Sequence, residues 1–227
     1  MPKKTKAKSK KKVEKPNIWV AYAPRLLLGL SVVLMVIGLG LAFHQQRQNA
    51  QAVKKAIAAG IAPSTVKPPQ KQVDNYVVAP DMPRYLTIPK LSVKARVQAV
   101  GLTKDGQIGS PANVYDTAWY NGSSKPGQPG VALIDGHVSS WTTKGVFYGI
   151  GTLTPGDSIQ IERGDGTVFN YSVVKTQTYD ASNVDMTALL NPIDPSKSGL
   201  NLITCAGDVI KGTNDFDKRV VVFATQT

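Results

Sequence analysis

Leu200-Asn201-Leu202-Ile203-Thr204-Cys205-Ala206-Gly207 carries the only cysteine in a chain of 227 residues. Leu200, Leu202 and Thr204 alternate with Asn201, Ile203 and Cys205, the period-2 pattern of a strand with two distinct faces. The Ala-Gly that follows turns the chain away, so the thiol stands at the end of a rigid element. A solitary cysteine is more often a small buried hydrophobe than a reactive group. The rest of the chain decides between these readings.

Working outward, the neighbouring segments also read as strands. Val93, Ala95, Val97 and Ala99 alternate with polar residues, as do residues 158–162. Residues 131–134 form an apolar run bounded by Pro-Gly and by glycine, the signature of a buried strand. Gly164-Asp165-Gly166 turns the chain into residues 167–175 as a hairpin, and residues 219–224 add another apolar strand. Helix is scarce. Ser182-Asn183-Val184-Asp185 has capping-box form ahead of residues 186–190, and Asn191-Pro192 ends that helix. A single further turn is expected near residues 145–150. Short strands punctuated by Gly and Pro specify an all-β domain over residues 82–227, either a closed barrel or a sandwich.

The formal charge of +12 is unevenly distributed. Residues 1–25 hold nine Lys or Arg against one Glu, whereas residues 80–227 hold 13 of each sign. A nucleic-acid-binding domain would carry its excess on the folded part, so no nucleic-acid partner is expected. The basic tail suits anionic membrane lipid. Residues 26–43 contain no charge and are almost wholly apolar, and as a helix they span roughly 27 Å, close to a hydrocarbon core. Trp19 and Tyr22 precede them, where interfacial aromatics belong. The expectation is one transmembrane helix at 26–43, a cytoplasmic tail at 1–25 and an exported domain at the cell membrane. Ala50-Gln51-Ala52 resembles a cleavage site, but the apolar run is longer than a secretory h-region, which favours an uncleaved anchor. Residues 44–81, with prolines at 63, 68, 69 and 80, read as an extracytoplasmic spacer. His44 falls at the membrane edge.

An exported chain with one cysteine forms no internal disulfide. A structural role for an unpaired, oxidisable thiol is then hard to justify, while a nucleophile gives it a purpose. Such a thiol needs a proton donor for a departing amine. Residues 82–227 contain one histidine, His137, at the exit of the 131–134 strand behind a glycine. Acyl transfer also needs positive charge facing the developing oxyanion, and Arg219, which opens the last strand, is the candidate; its alternative is a salt bridge to Asp215 or Asp217. No Cys/His cluster has metal-ligand spacing. Gly149-Ile150-Gly151 lacks the context of a phosphate loop, and neither a metal nor a cofactor is expected.

Leu202-Ile203-Thr204-Cys205 resembles the Thr/Leu-x-Thr-Cys signature of the sortases, cysteine transpeptidases of Gram-positive-type bacterial surfaces. Leu133-Ile134-Asp135-Gly136-His137-Val138 is similar to their strand ending in Gly-His, and Arg219-Val220-Val221-Val222-Phe223-Ala224 to their closing strand with its arginine. The resemblance spans about residues 82–225. It implies a closed barrel of about eight strands with Cys205 as nucleophile, His137 as general acid and base, Arg219 as oxyanion partner and Thr204 in contact with substrate. It also implies a substrate with an LPXTG-like sorting signal, cut between Thr and Gly, and a cell-wall precursor or pilin amine as acceptor. Hydrolysis by the same residues, or a non-catalytic peptide-binding scaffold, are the alternatives. Asp135 departs from the small residue many sortases carry there; on alternation it shares a face with His137. Trp119-Tyr120, Pro126-Gly127-Gln128-Pro129-Gly130 and Gly145-Val146-Phe147-Tyr148 resemble the class E or F type.

Overall fold

The alternating stretches close on one another as a barrel. The computed structural model describes residues 35–41, 43, 44, 47, 63–140, 142–213 and 215–227. Eight strands run in chain order: β1 (Pro83–Ile88), β2 (Val93–Val100), β3 (Thr117–Tyr120), β4 (Val131–Gly136), β5 (Ser158–Arg163), β6 (Val168–Asp180), β7 (Gly199–Val209) and β8 (Phe216–Gln226). Around the barrel their order is β1-β2-β3-β4-β7-β8-β6-β5, and β5 returns to β1. β2 pairs with β3, and β4 with β7, in parallel; the remaining pairs are antiparallel.

Alternation sends every second side chain inward. Ile134 of β4, Leu200 and Leu202 of β7, and Val222 of β8 meet Leu86, Ile88, Ile159, Ile161 and Phe147 in the barrel interior, all fully buried. Each such side chain contributes about 1.5–3 kcal/mol by leaving water. The opposite faces of β4, β7 and β8 carry a second cluster, in which Leu133, Val221 and Phe223 pack with Leu189. Leu189 comes from the helix Met186–Leu190, which therefore covers part of the outer wall beyond Phe223. This half-covered outer face is the one on which Cys205 lies.

Two strands escape the sequence patterns. β1 opens on Pro83 and β3 has only four residues, three of them buried without alternation, so neither shows a clean period of two. β6 extends past the expected hairpin arm to Asp180, with a bulge between Val173 and Lys175 where it pairs with β8. The helix at 186–190 forms as expected, but its cap is Asp185, whose carboxylate accepts from the N–H groups of Thr187 (2.9 Å) and Ala188 (3.1 Å). Ser182 makes no cap; it lies in a 3₁₀ turn at Ala181–Asn183.

Residues 63–81, read as spacer, lie against the barrel. Tyr76 donates its hydroxyl to the Val97 carbonyl (2.9 Å) and receives Arg84 Nε on its own carbonyl (2.6 Å). Tyr85 donates to Val73 at the end of the short helix Gln70–Asp74, and Lys125 pairs with Asp81. Prolines stiffen the segment, but tyrosine and arginine anchors fasten it, and residues 56–227 form one compact unit. Residues 1–55 form the other. The expected tail at 1–25 and residues 26–34 and 42 of the expected span lie outside the described residues. Residues 35–41 are helical with exposed apolar side chains, including Met35, Leu39 and Leu41. Among the described residues no helix is long and apolar enough to cross a membrane.

Candidate active site

β7 and β8 bring two of the sequence candidates, Cys205 and Arg219, into one row. In the β7–β8 ladder Cys205 pairs directly with Arg219. The β4–β7 register runs from Val131↔Gly199 to Asp135↔Ile203; continued by two residues, it sets position 137 beside Cys205. The row below contains Asp135, Ile203 and Val221, and the next contains Leu133, Asn201 and Phe223. Asp135 thus shares the outer face with Cys205, one row from the thiol.

The end of β4 is shaped by close backbone contacts. Phe147 N–H donates to the His137 carbonyl (3.0 Å) and Gly145 N–H to the Val138 carbonyl (2.9 Å). A Cβ on Gly145 would stand 2.1 Å from that His137 oxygen, and one on Gly136 would stand 2.6 Å from the Phe147 ring. Both positions need glycine because other parts of the chain occupy the space. The His137 ring is held as well: its Nε2 lies 2.8 Å from the Pro111 carbonyl.

Thr204 is buried, and its hydroxyl donates to the Gly136 carbonyl (2.7 Å). It therefore ties the strand bearing Cys205 to the peptide unit leading into His137. Arg219 Nη2 pairs with Asp215 (2.7 Å), and Nη1 donates to the carbonyls of Phe216 and Lys218 (2.8 and 2.9 Å). The salt bridge named above as the alternative for Arg219 is present, and it fixes the guanidinium at the mouth of the β7–β8 loop.

Charge around the thiol is mixed. Burial pushes the Cys205 thiol up from its ordinary value; Arg219 opposes this, while Asp135 and Asp215 add to it. Burial likewise raises the Asp135 carboxyl, against a hydrogen bond from Ser110 and the charges of His137 and Arg219. The resting site thus favours a protonated thiol. An acceptor for its proton and a cation near the carbonyl under attack are the groups such a thiol requires; Arg219 in the row offers a guanidinium, and His137, just past the end of β4, an imidazole.

A sequence model of the sortase domain matches residues 86–227. The chain belongs to the sortase family. Sortases are cysteine transpeptidases, and this sortase carries the family's domain from β1 to the end of β8. No functionally curated protein matches it. Its fold is that of solved sortases. A lid mutant of sortase A from Corynebacterium diphtheriae is 20% identical over 70% of this chain and 76% of that one, with a TM-score of 0.50. Sortase C-1 from Streptococcus pneumoniae is 21% identical over 66% of this chain and 69% of that one, TM-score 0.50. The pilus-related sortase C of Group B Streptococcus is 16% identical over 73% and 75%, TM-score 0.50.

Sequence reasoning missed Ser110 and Pro111, which touch Asp135 and His137 from a loop between β2 and β3. Pro111 acts through its carbonyl, a group every residue possesses, so its letter carries no signal.

Proposed function

We propose that this sortase cleaves a surface protein at an LPXTG-like signal, between Thr and Gly. It transfers the new acyl end to an amine of a cell-wall precursor or a pilin subunit. The cross-strand row of Cys205 and Arg219, with His137 continuing the β4 register, carries the reading. Cys205 Sγ, its proton passed to His137, attacks the scissile carbonyl carbon. The C–N bond breaks, and His137 returns a proton to the leaving amine, giving a thioester on Cys205. The incoming amine attacks that thioester, gives a proton to His137, and thiolate leaves. Arg219 faces the developing oxyanion. Thr204, whose hydroxyl is taken by Gly136, contacts substrate through its backbone. The motifs Trp119-Tyr120, Pro126-Gly127-Gln128-Pro129-Gly130 and Gly145-Val146-Phe147-Tyr148 support class E or F.

The same proposal places the barrel outside the cell membrane on a single anchor at residues 26–43, with residues 1–25 in the cytoplasm against anionic lipid. The uncharged run and its basic N-terminal flank support this. Resistance to carbonate extraction, with residues 82–227 open to external protease, is the expected behaviour; release by carbonate overturns it.

The catalytic reading is tested by intact-mass spectrometry of the full chain with an LPXTG-type peptide, with and without an amine. A thioacyl adduct that passes to the amine and is absent in Cys205→Ala is expected. An adduct that only hydrolyses makes the protein a peptidase, and no adduct across a varied peptide panel leaves the scaffold reading.

A further inference from the structure

The loop that reaches His137 is itself held from outside the barrel. Pro111 is buried and presents its carbonyl to His137 Nε2 at 2.8 Å. A carbonyl only accepts, so Nε2 carries the hydrogen, and the neutral ring then has an unprotonated Nδ1. This partner therefore assigns the tautomer. The adjacent Ser110 holds the Asp135 carboxyl down against the effect of its burial. One side of the loop is anchored by Asp116, whose buried carboxylate accepts from Arg96 in a fork (2.9 and 2.7 Å) and from Gln98 (2.9 Å).

The other anchor comes from residues 63–66. Ser64 N–H donates to the Ala112 carbonyl (2.8 Å), and Val114 N–H donates back to the Ser64 carbonyl (2.9 Å). Asn113 Nδ2 donates to the Val66 carbonyl (2.9 Å), while its Oδ1 accepts from Tyr115 N–H (2.9 Å). Ser64 and Asn113 thus form a parallel bridge beside Pro111. The bridge is remote from the thiol in sequence and has no part in the chemistry above, yet it restrains the loop whose Pro111 carbonyl bonds the imidazole.

We infer that residues 63–66 form a strap that positions His137: by fixing the loop they hold the Pro111 carbonyl against Nε2–H, so that Nδ1 handles the proton of thiol and amine. This rests on the reading of His137 as general acid and base. Ser64 and Asn113 are positioning residues that touch neither substrate nor thiol. The segment joining the barrel to the rest of the chain is in this way part of the site's machinery.

The test uses the full chain carrying His44→Gln, which leaves His137 as its one histidine, with ¹⁵N-labelled histidine. Ser64→Pro removes the N–H bonded to Ala112. Asn113→Asp keeps the acceptor for Tyr115 and removes the donor to Val66, and it serves if the proline variant does not fold. In the parent chain ¹⁵N NMR is expected to show a single Nε2–H tautomer. In either variant the tautomers mix and kcat falls on the order of 10- to 100-fold with KM unchanged, the scale of a misplaced catalytic group. Lys67→Ala, exposed on the same segment, changes neither reading. An Nδ1–H tautomer in the parent, or an unchanged tautomer in both variants, overturns the strap. The NMR reading needs no substrate. A strap-dependent tautomer in a chain that forms no thioacyl adduct therefore supports the strap while refuting the acyl-transfer reading.

Discussion

Cys205 and Arg219 are direct cross-strand partners, yet the guanidinium is fastened to Asp215, four residues before it on the approach to β8. The thiol therefore experiences a cation whose own counter-ion stands close by, and Asp215 acts on Cys205 with the opposite sign to Arg219. Asp215→Asn removes a charge that disfavours thiolate, so the pH midpoint for alkylation of Cys205 by iodoacetamide moves down. Arg219→Gln moves it up. Intact-mass time courses across pH check both directions, and a common direction for the two variants contradicts the arrangement.

Asp135 bears on stability as well as chemistry. Its folded-state pKa is raised above the ordinary 3.8, chiefly by burial. The stability it contributes is therefore full at pH below that ordinary value and is lost as pH rises through the raised value. Ionising this buried carboxyl opposes folding. Asp135→Asn is expected to raise the thermal midpoint at pH 7, with the gain over wild type shrinking as pH falls. Calorimetry at several pH values measures this.

The Thr204 hydroxyl bonded to the Gly136 carbonyl (2.7 Å) ties the strand of the thiol to the end of β4, just before His137. Thr204→Val preserves shape but leaves that buried carbonyl without its donor, at a cost of about 1–3 kcal/mol. Thr204→Ser retains the bond. Denaturant unfolding of the two variants separates loss of the hydroxyl from loss of the methyl, and acyl-adduct formation follows the hydroxyl.

Gly145→Ala is expected to be far worse than Gly101→Ala. The first puts a Cβ 2.1 Å from the His137 carbonyl oxygen, whereas the second finds its nearest neighbour at 3.7 Å on Asn121. Relieving the first clash moves the backbone of the histidine itself, so destabilisation of about 1–3 kcal/mol comes with loss of the thioacyl adduct. Thermal unfolding and intact-mass assays of both variants supply the comparison.

The barrel was legible where strands are half-buried, because β2 and β5 face water on one side and write their alternation into the letters, while β7 alternates because its covered outer face takes the polar Asn201, bonded to the Leu189 carbonyl. β3 is covered on both sides and β1 starts with proline, so neither could announce itself by period. Cys205, His137 and Arg219 stood out as scarce or strand-terminal residues, and the β7–β8 register explains the spacing of Cys205 and Arg219. The capping role went to Asp185 because a helix five residues long begins at Met186, too late for Ser182 to reach its free N–H groups. The spacer reading of residues 63–81 followed proline content and overlooked Tyr76, whose hydroxyl reaches β2. Least legible were the contacts made by backbone carbonyls, those of Pro111 and Gly136, since they depend on where the chain passes rather than on which residue passes there.

The parallel pairing of β4 with β7 has a consequence for the timing of reactivity. Parallel neighbours cannot be joined by a tight turn, and here β5, β6 and the 186–190 helix lie between them in the chain. Contacts so distant along the chain form late, after the entropy of closing a long loop has been overcome. Before that closure the thiol is an exposed cysteine in a flexible peptide, with the ordinary thiolate fraction that burial in the finished barrel lowers. A half-made chain therefore carries a thiol open to oxidants and alkylating agents, and the completion of folding is the step that restrains it.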